Sequence, residues 1–412
     1  MRVALLSLTE AVSGEPHGLR GYLTIGGRTL ARHQLGIALA FGCTRVVVLT
    51  EGLTGEVLTL QHAAEEGGAR FHVITSAHAL LPLITADDEL IVLSDGLFAL
   101  PEVVLSHLSD GPGVLALPVE AGVAAGFERI DINHAAAGVM RLPGRLIAGL
   151  GDLPSDWNAH AALLRLAVQA RTPMRQLPSA VLNDGRWGLV RSEDEAHRVE
   201  PAWIRLHTRS AQQRSPGEWL AAKTVHMAGP ALLHAGTRPW LVAMGAVVLL
   251  LLAVGAGWFG WCTPGFVLLG MGWVVAQVAT QIAGIETASL LALRDRSPIG
   301  PAFAFLIDAA FVTLAAWRSD IASVAGVSFA ATWFAPVVLV MLLHLLPRAL
   351  PEGRWTWWLQ DRLLAGLVCA AVSVLLPFDL ALRAVVVLLL GWAILIVPRR
   401  TGSANAPLTG SR

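Results

Sequence analysis

Carboxylates in costly or constrained places are the first residues of this sequence that could do chemistry. Glu286 and Asp308 fall inside runs that are otherwise apolar. A charge there is expensive unless another group satisfies it, so the pair either bond each other between helices or mark the remnant of a metal and phosphate site. In the first half, Asp95 follows the apolar run ELIVLS (89–94) and precedes Gly96, a pairing that an ordinary turn also uses. Gly26-Gly27 is a second tight-turn signal. His134, between Asn133 and a run of small residues, is either a ligand contact or a satisfied loop histidine. Cys43, Cys262 and Cys369 lie too far apart for a metal cluster and read as small buried hydrophobes. Lys223 is the single lysine, so chemistry in the core of the first half must do without an ammonium group.

The elements that must position these residues divide the chain in two. Its 412 residues exceed what one hydrophobic core usually organises. Hydrophobic residues make up 54% and charged residues 15%, the charged ones crowding into the first half. Thirty basic residues balance thirty acidic ones, which gives no global attraction to nucleic acid. In the first half the runs at 3–8, 45–50, 70–75, 89–94 and 113–118 are rich in Val, Ile and Leu and read as buried strands. The segments 29–42 and 54–68 between them have helical spacing ended by glycine. This alternation predicts an α/β domain, a mostly parallel sheet with helices on both faces. Ligands of such sheets sit beyond the carboxyl ends of strands, which singles out the loops after Leu8 and after Ser94. The start, MRVALLSLTEAV, is charged too soon for a signal peptide and reads as the first strand.

From Pro239 the apolar density rises sharply. Residues 239–261 carry no formal charge, and further runs follow at about 264–293, 299–317, 322–346, 359–377 and 380–397. On the length criterion these are about six transmembrane helices. Arg238, then Arg294 and Arg296, then Arg348, Arg354 and Arg362, then Arg399 and Arg400 fall at alternate ends of the runs. The basic-loop rule therefore puts both termini in the cytoplasm, in a multi-pass protein of the cytoplasmic membrane. Trp258, Trp261, Trp317, Trp355, Trp357 and Trp358 near run ends suit an interfacial aromatic belt. The expected organisation is a cytosolic α/β domain over 1–208 and a linker with an interfacial amphipathic helix over 209–238. A six-span membrane domain over 239–398 and a disordered cytosolic tail over 399–412 complete it.

Two resemblances attach to particular residues. The stretch AGIETASLLALRDRSPIGPAFAFLID (283–308) is similar to the signature of CDP-alcohol phosphotransferases, D-x2-D-G-x2-A-R-x8-G-x3-D-x3-D. Gly300 and Asp308 match it without a gap, and Glu286 is a conservative stand-in. The resemblance implies divalent-metal ligation by Glu286 and Asp308. Ala283 and Ala304 stand at the other two aspartate positions and Leu291 at the signature arginine, so the expectation is a fold kept and phosphotransfer lost.

Residues 1–200 resemble the sugar-phosphate nucleotidyltransferases, whose sheet is of the GT-A type. The order LTIGGRTLARHQL (23–35), AFGCTRVVVLTEG (40–52) and DDELIVLSDGLF (87–98) carries the resemblance. FERIDINHAAAGVMRL (127–142) and DGRWGLVRSEDEA (184–196) are similar to the product-side and closing segments of that family. It implies catalytic places for Asp95 and Arg20, with Gly26, Gly27 and Ser94 at the nucleotide. Asp95 would hold Mg²⁺ with substrate oxygens, or with Asp184 from a neighbouring loop. TEAVSGEPHG (9–18) replaces the family's glycine loop, and Leu189 and Arg191 replace closing aspartates.

Together the resemblances suggest the layout of bifunctional enzymes that join an inositol-phosphate cytidylyltransferase to a CDP-inositol phosphotransferase. The expected function is a membrane-anchored protein that binds a nucleoside triphosphate of the CTP type and a sugar or polyol phosphate, in head-group metabolism. The other expectation is a non-catalytic relative that binds or scaffolds an active paralogue at the membrane. Membrane lipid and a homodimer through the helical half are the further partners implied.

Overall fold

A computed structural model describes the chain outside 155–156, 210–214, 235–238, 289–298, 319–328, 350–353 and 397–412. The expected tail, most of the polar linker run and Leu291 of the phosphotransferase-like signature thus lie outside the described residues. The chain forms two units, one carrying Met1–His207 and the other most of the residues beyond it.

Seven strands build the main sheet of the first unit: β1 (Arg2–Leu8), β2 (Arg45–Thr50), β3 (Arg70–Ile74), β4 (Glu89–Leu93), β5 (Gly113–Pro118), β6 (His134–Pro143) and β7 (Met174–Gln176). Their spatial order is β7-β5-β6-β4-β1-β2-β3. Only β6 runs antiparallel to its neighbours β4 and β5; every other pairing in this sheet is parallel. The mostly parallel, seven-stranded sheet with helices on both faces is the α/β class expected from the sequence. The five strands read from apolar runs are all present. The strand β7 was not foreseen, because MRQ is too short and too polar to give a pattern.

Side chains alternate along a strand, so one sheet feeds two cores. Leu6, Leu8, Val46, Val48, Ile91 and Leu93 point to one face, under the helices Leu30–Ala40, Gly55–Glu66 and Pro101–Leu108. Val3, Leu5, Val47, Leu49, Leu90 and Val92 point to the other, against Ile147, Leu150 and the helix Ala159–Gln169. Burial on both faces is why these strands read as continuous apolar runs rather than alternating ones. Thr29 and Thr54 start the first two helices by accepting from Arg32 N and Val57 N at 3.4 Å each.

The second unit is helical: Pro216–His234, Pro239–Trp258, Cys262–Ala288, Ile299–Trp317, Phe329–Ala349, Arg354–Gln360, Arg362–Leu375 and Phe378–Ile396. Three of these contain segments long and apolar enough to cross a membrane, Trp240–Trp258, Cys262–Gly284 and Phe378–Leu395, where six spans were expected. The other apolar helices are shorter among the described residues. Arg362–Leu375 has 14 residues, about 21 Å at 1.5 Å each, against a hydrocarbon core of roughly 30 Å. Only 17% of the Phe378–Leu395 window is buried, so an apolar surround suits it better than water. Asp361, 1% exposed, ties the start of two helices together. Its Oδ2 accepts from Gly217 N at 2.6 Å and its Oδ1 from Leu363 N at 2.9 Å.

Candidate functional site

The carboxyl end of β4 lies beside that of β1, and Asp95 sits just past it. Its side chain is 5% exposed. Oδ2 accepts from the N–H groups of Thr9 and Glu10, both at 2.7 Å, so the loop after β1 is folded onto this carboxylate. Oδ1 is buried and has no hydrogen-bond partner. Burial pushes the Asp95 carboxyl up to about 6. The two backbone N–H groups oppose that rise, the Glu10 carboxylate adds to it, and the Arg20 guanidinium opposes it. A half-satisfied carboxyl at a strand terminus is the kind of group a ligand or ion would complete.

Two further buried acceptors without partners adjoin it in the chain or by hydrogen bond: Ser94 Oγ and Gln34 Oε1. Gln34 Nε2 donates to Ser94 O at 2.9 Å and to Leu97 O at 3.0 Å, while Ser94 N donates to Gly138 O at 2.9 Å. Gln34 was missed by sequence reasoning. A glutamine on the buried face of a helix between Ala31 and Leu35 was the signal available. Arg20 stands beside the site with its aliphatic stem against Gly96. Its Nη1 is salt-bridged to Glu10 Oε2 and its Nε donates to Ala11 O at 3.0 Å. The other Glu10 oxygen accepts from Asn158 Nδ2 at 3.1 Å.

Gly26 and Gly27 form the tight turn between Thr24–Ile25 and Arg28–Thr29, with φ of 61° and 74°. The Gly26 N–H donates to the buried carboxylate of Glu200 at 2.9 Å, and a Cβ there would stand 2.0 Å from the Trp203 ring. His33 completes this corner, bonding Ile25 O at 2.9 Å with its ring edge-on to Trp203 and Phe98. That Gly26 N–H is engaged within the protein rather than offered to a nucleotide.

Asp184 is not brought to Asp95. The strand Trp187–Leu189 pairs antiparallel with Leu97–Ala99, Leu189 opposite Leu97 and Trp187 opposite Ala99. Val190 N donates to Gly96 O at 2.8 Å at the end of the ribbon nearer Asp95, and Asp184 lies beyond the other end. There Asp184 is 54% exposed and faces Arg186 at 3.8 Å. Arg191 is anchored by Glu195, and its carbonyl accepts from Ser13 N at 2.8 Å. His134 Nδ1 bonds the Asp131 carboxylate at 3.0 Å on the surface, the satisfied loop histidine among the two readings.

No family model matches the chain, and no curated protein matches it. Solved structures do. UDP-glucose pyrophosphorylase from Acinetobacter baumanii aligns with a TM-score of 0.36 and 11% identity, over 50% of this chain and 94% of that one. A UDP-glucose pyrophosphorylase complexed with UDP-glucose aligns with a TM-score of 0.37 and 12% identity, over 50% of this chain and 99% of that one.

In the helical unit the expected partnership of Glu286 and Asp308 can be followed only from Asp308. The Glu286 side chain lies outside the described residues. Asp308, 8% exposed, has both oxygens taken: Arg362 Nε donates to Oδ1 at 2.6 Å and His344 Nε2 to Oδ2 at 2.5 Å. A carboxylate neutralised by a guanidinium is a poor ligand for a hard cation. Gly300 lies in the first turn of its helix, with Thr280 as its neighbour. Among the described residues no three His, Cys, Asp or Glu side chains gather in a metal-binding group. Arg362, read from sequence as a loop charge, is 5% exposed inside the bundle. The missed signal was Asp308 itself, since a buried carboxylate requires a cationic partner.

Proposed function

We propose that the α/β domain binds a nucleoside triphosphate, of the CTP type, together with a sugar or polyol phosphate, and transfers the nucleotidyl group between them. The observation that carries this is Asp95, buried beside the carboxyl end of β1 with Oδ1 unpartnered. One free carboxylate oxygen suits a Mg²⁺ ion whose remaining ligands are phosphate oxygens and water. Such an ion supplies charge neutralisation at the transferring phosphate.

The chain's own groups have separate tasks in this reading. Arg20 is placed to meet phosphate oxygens bidentately once Glu10 releases it. Asn158 holds the second Glu10 oxygen and so sets where that carboxylate can swing. Ser94 Oγ and Gln34 Oε1 are acceptors for ligand hydroxyl or amino groups. Arg191 adds positive charge where a second metal ligand would otherwise stand.

The helical half, in the same reading, crosses the membrane six times with both termini cytoplasmic and pairs as a homodimer. It anchors the transferase near phospholipid head-group substrates without exchanging CDP-alcohols itself. Asp308, committed to Arg362 and His344, supports that loss.

A second reading has a specific observation behind it. Thr9 and Glu10 spend their N–H groups on Asp95 rather than on a triphosphate, which favours a domain that binds a ligand without turning it over. Pyrophosphate release separates the two. The full chain in detergent, given CTP or UTP, Mg²⁺ and a panel of sugar and polyol phosphates, should release pyrophosphate, and Asp95→Ala should not. Saturable binding without release would leave the binding-only reading, and neither would remove both.

A further inference from the structure

Next to Asp308 the helical unit holds a polar cavity of about 200 Å³, lined in part by Trp273, His344, Arg348, Gln360 and Arg362. Its hydrogen-bonding groups are unbalanced toward donors. Trp273 Nε1 is buried and has no partner. Arg348, in the last turn of Phe329–Ala349, is exposed. His344 Nε2 must carry its proton to bond Asp308 at 2.5 Å, so it cannot also accept from Arg362 Nη2 at 3.4 Å. Arg362 Nη1 donates to Leu359 O at 3.3 Å, so Nη2 is the N–H group of this guanidinium left for the cavity.

Charge gives the same sign. Among the described groups lining this cavity two guanidinium groups face one carboxylate, an excess of positive charge in an apolar surround, where an unbalanced charge is costly. From these groups the geometry points to an anion site for a phosphate ester, held by Arg348, Arg362 and the Trp273 N–H, where sequence reasoning expected a cation site. A phosphodiester carries the single negative charge that balances it. A lipid head group and a free phosphate share this chemistry. An apolar cavity of about 1070 Å³, lined by Phe311, Val368 and Phe378, shares the Leu343 wall with the polar one and gives acyl chains a place beside it. This site is independent of Asp95, so its failure would leave the nucleotidyltransferase reading standing.

The test is thermal melting of the full chain in a neutral detergent with inorganic phosphate, phosphatidylglycerol or diacylglycerol added. Ligand that binds only the folded state raises the midpoint. Phosphatidylglycerol should raise it and diacylglycerol should not; a rise with inorganic phosphate alone would assign the site to free phosphate. Arg348→Gln, at an exposed position, should melt like the parent without ligand and weaken phosphate-ester binding about tenfold or more. Trp273→Phe keeps the ring and should weaken it several-fold. No rise with any phosphate compound, or equal rises in parent and both variants, would overturn the assignment.

Discussion

At Asp95 the physical chemistry of one carboxyl sets both stability and binding. Its folded-state value of about 6 lies above the ordinary 3.8, so the folded protein holds this proton more tightly than the unfolded chain. The folded state is therefore relatively most stable at about pH 4 and below, and loses that advantage as pH rises toward about 6. Above that, the buried charge costs on the order of 3 kcal/mol. Asp95→Asn keeps an acceptor for Thr9 and Glu10 and removes the charge. It should raise the melting temperature at pH 7.5, with the gain vanishing near pH 4 in parallel melts. Metal-assisted nucleotide binding needs the carboxylate, so it should weaken as pH falls below about 6. Asp95 was legible from its place after ELIVLS. Its burial was not, because that depends on how the loop after β1 folds back over it. Asp184 misled for a related reason: order along the chain does not give ribbon register, and the register leaves Asp184 beyond the far end of the ribbon.

Two corners test how elements are held. At the turn between Thr24–Ile25 and Arg28–Thr29, Gly26→Ala would drive a methyl into the Trp203 ring and force a non-glycine residue into positive φ. Destabilisation of roughly 2–4 kcal/mol is expected from denaturant melts of the full chain. Gly26-Gly27 was visible in the sequence as a turn, but the Glu200 and Trp203 that seal it lie too distant in sequence to be inferred. In the bundle, Asp308→Asn leaves Arg362 buried and uncompensated, at a cost of roughly 3–5 kcal/mol. The pair Asp308→Leu with Arg362→Met should melt higher than either single change. A double variant no better than the worse single one would mean that the ion pair is not what holds these helices.

For the whole molecule, the rise in apolar density from Pro239 pointed to a helical half, and from Pro239 on the elements among the described residues are all helices. Among the described residues three helices reach spanning length and three further apolar helices are shorter. An even number of crossings puts the N-terminal domain and residue 397 on one side of the membrane, whereas three crossings put them on opposite sides. A reporter fused after residue 398 should respond as cytoplasmic, together with one on the N-terminal domain; opposite responses would contradict six crossings. Most direct of all is calorimetric titration of the full chain in detergent with CTP and Mg²⁺ near pH 7.5. Saturable, Mg²⁺-dependent binding that Asp95→Ala abolishes is the predicted result, and no binding at millimolar nucleotide, or binding unchanged in that variant, would contradict it.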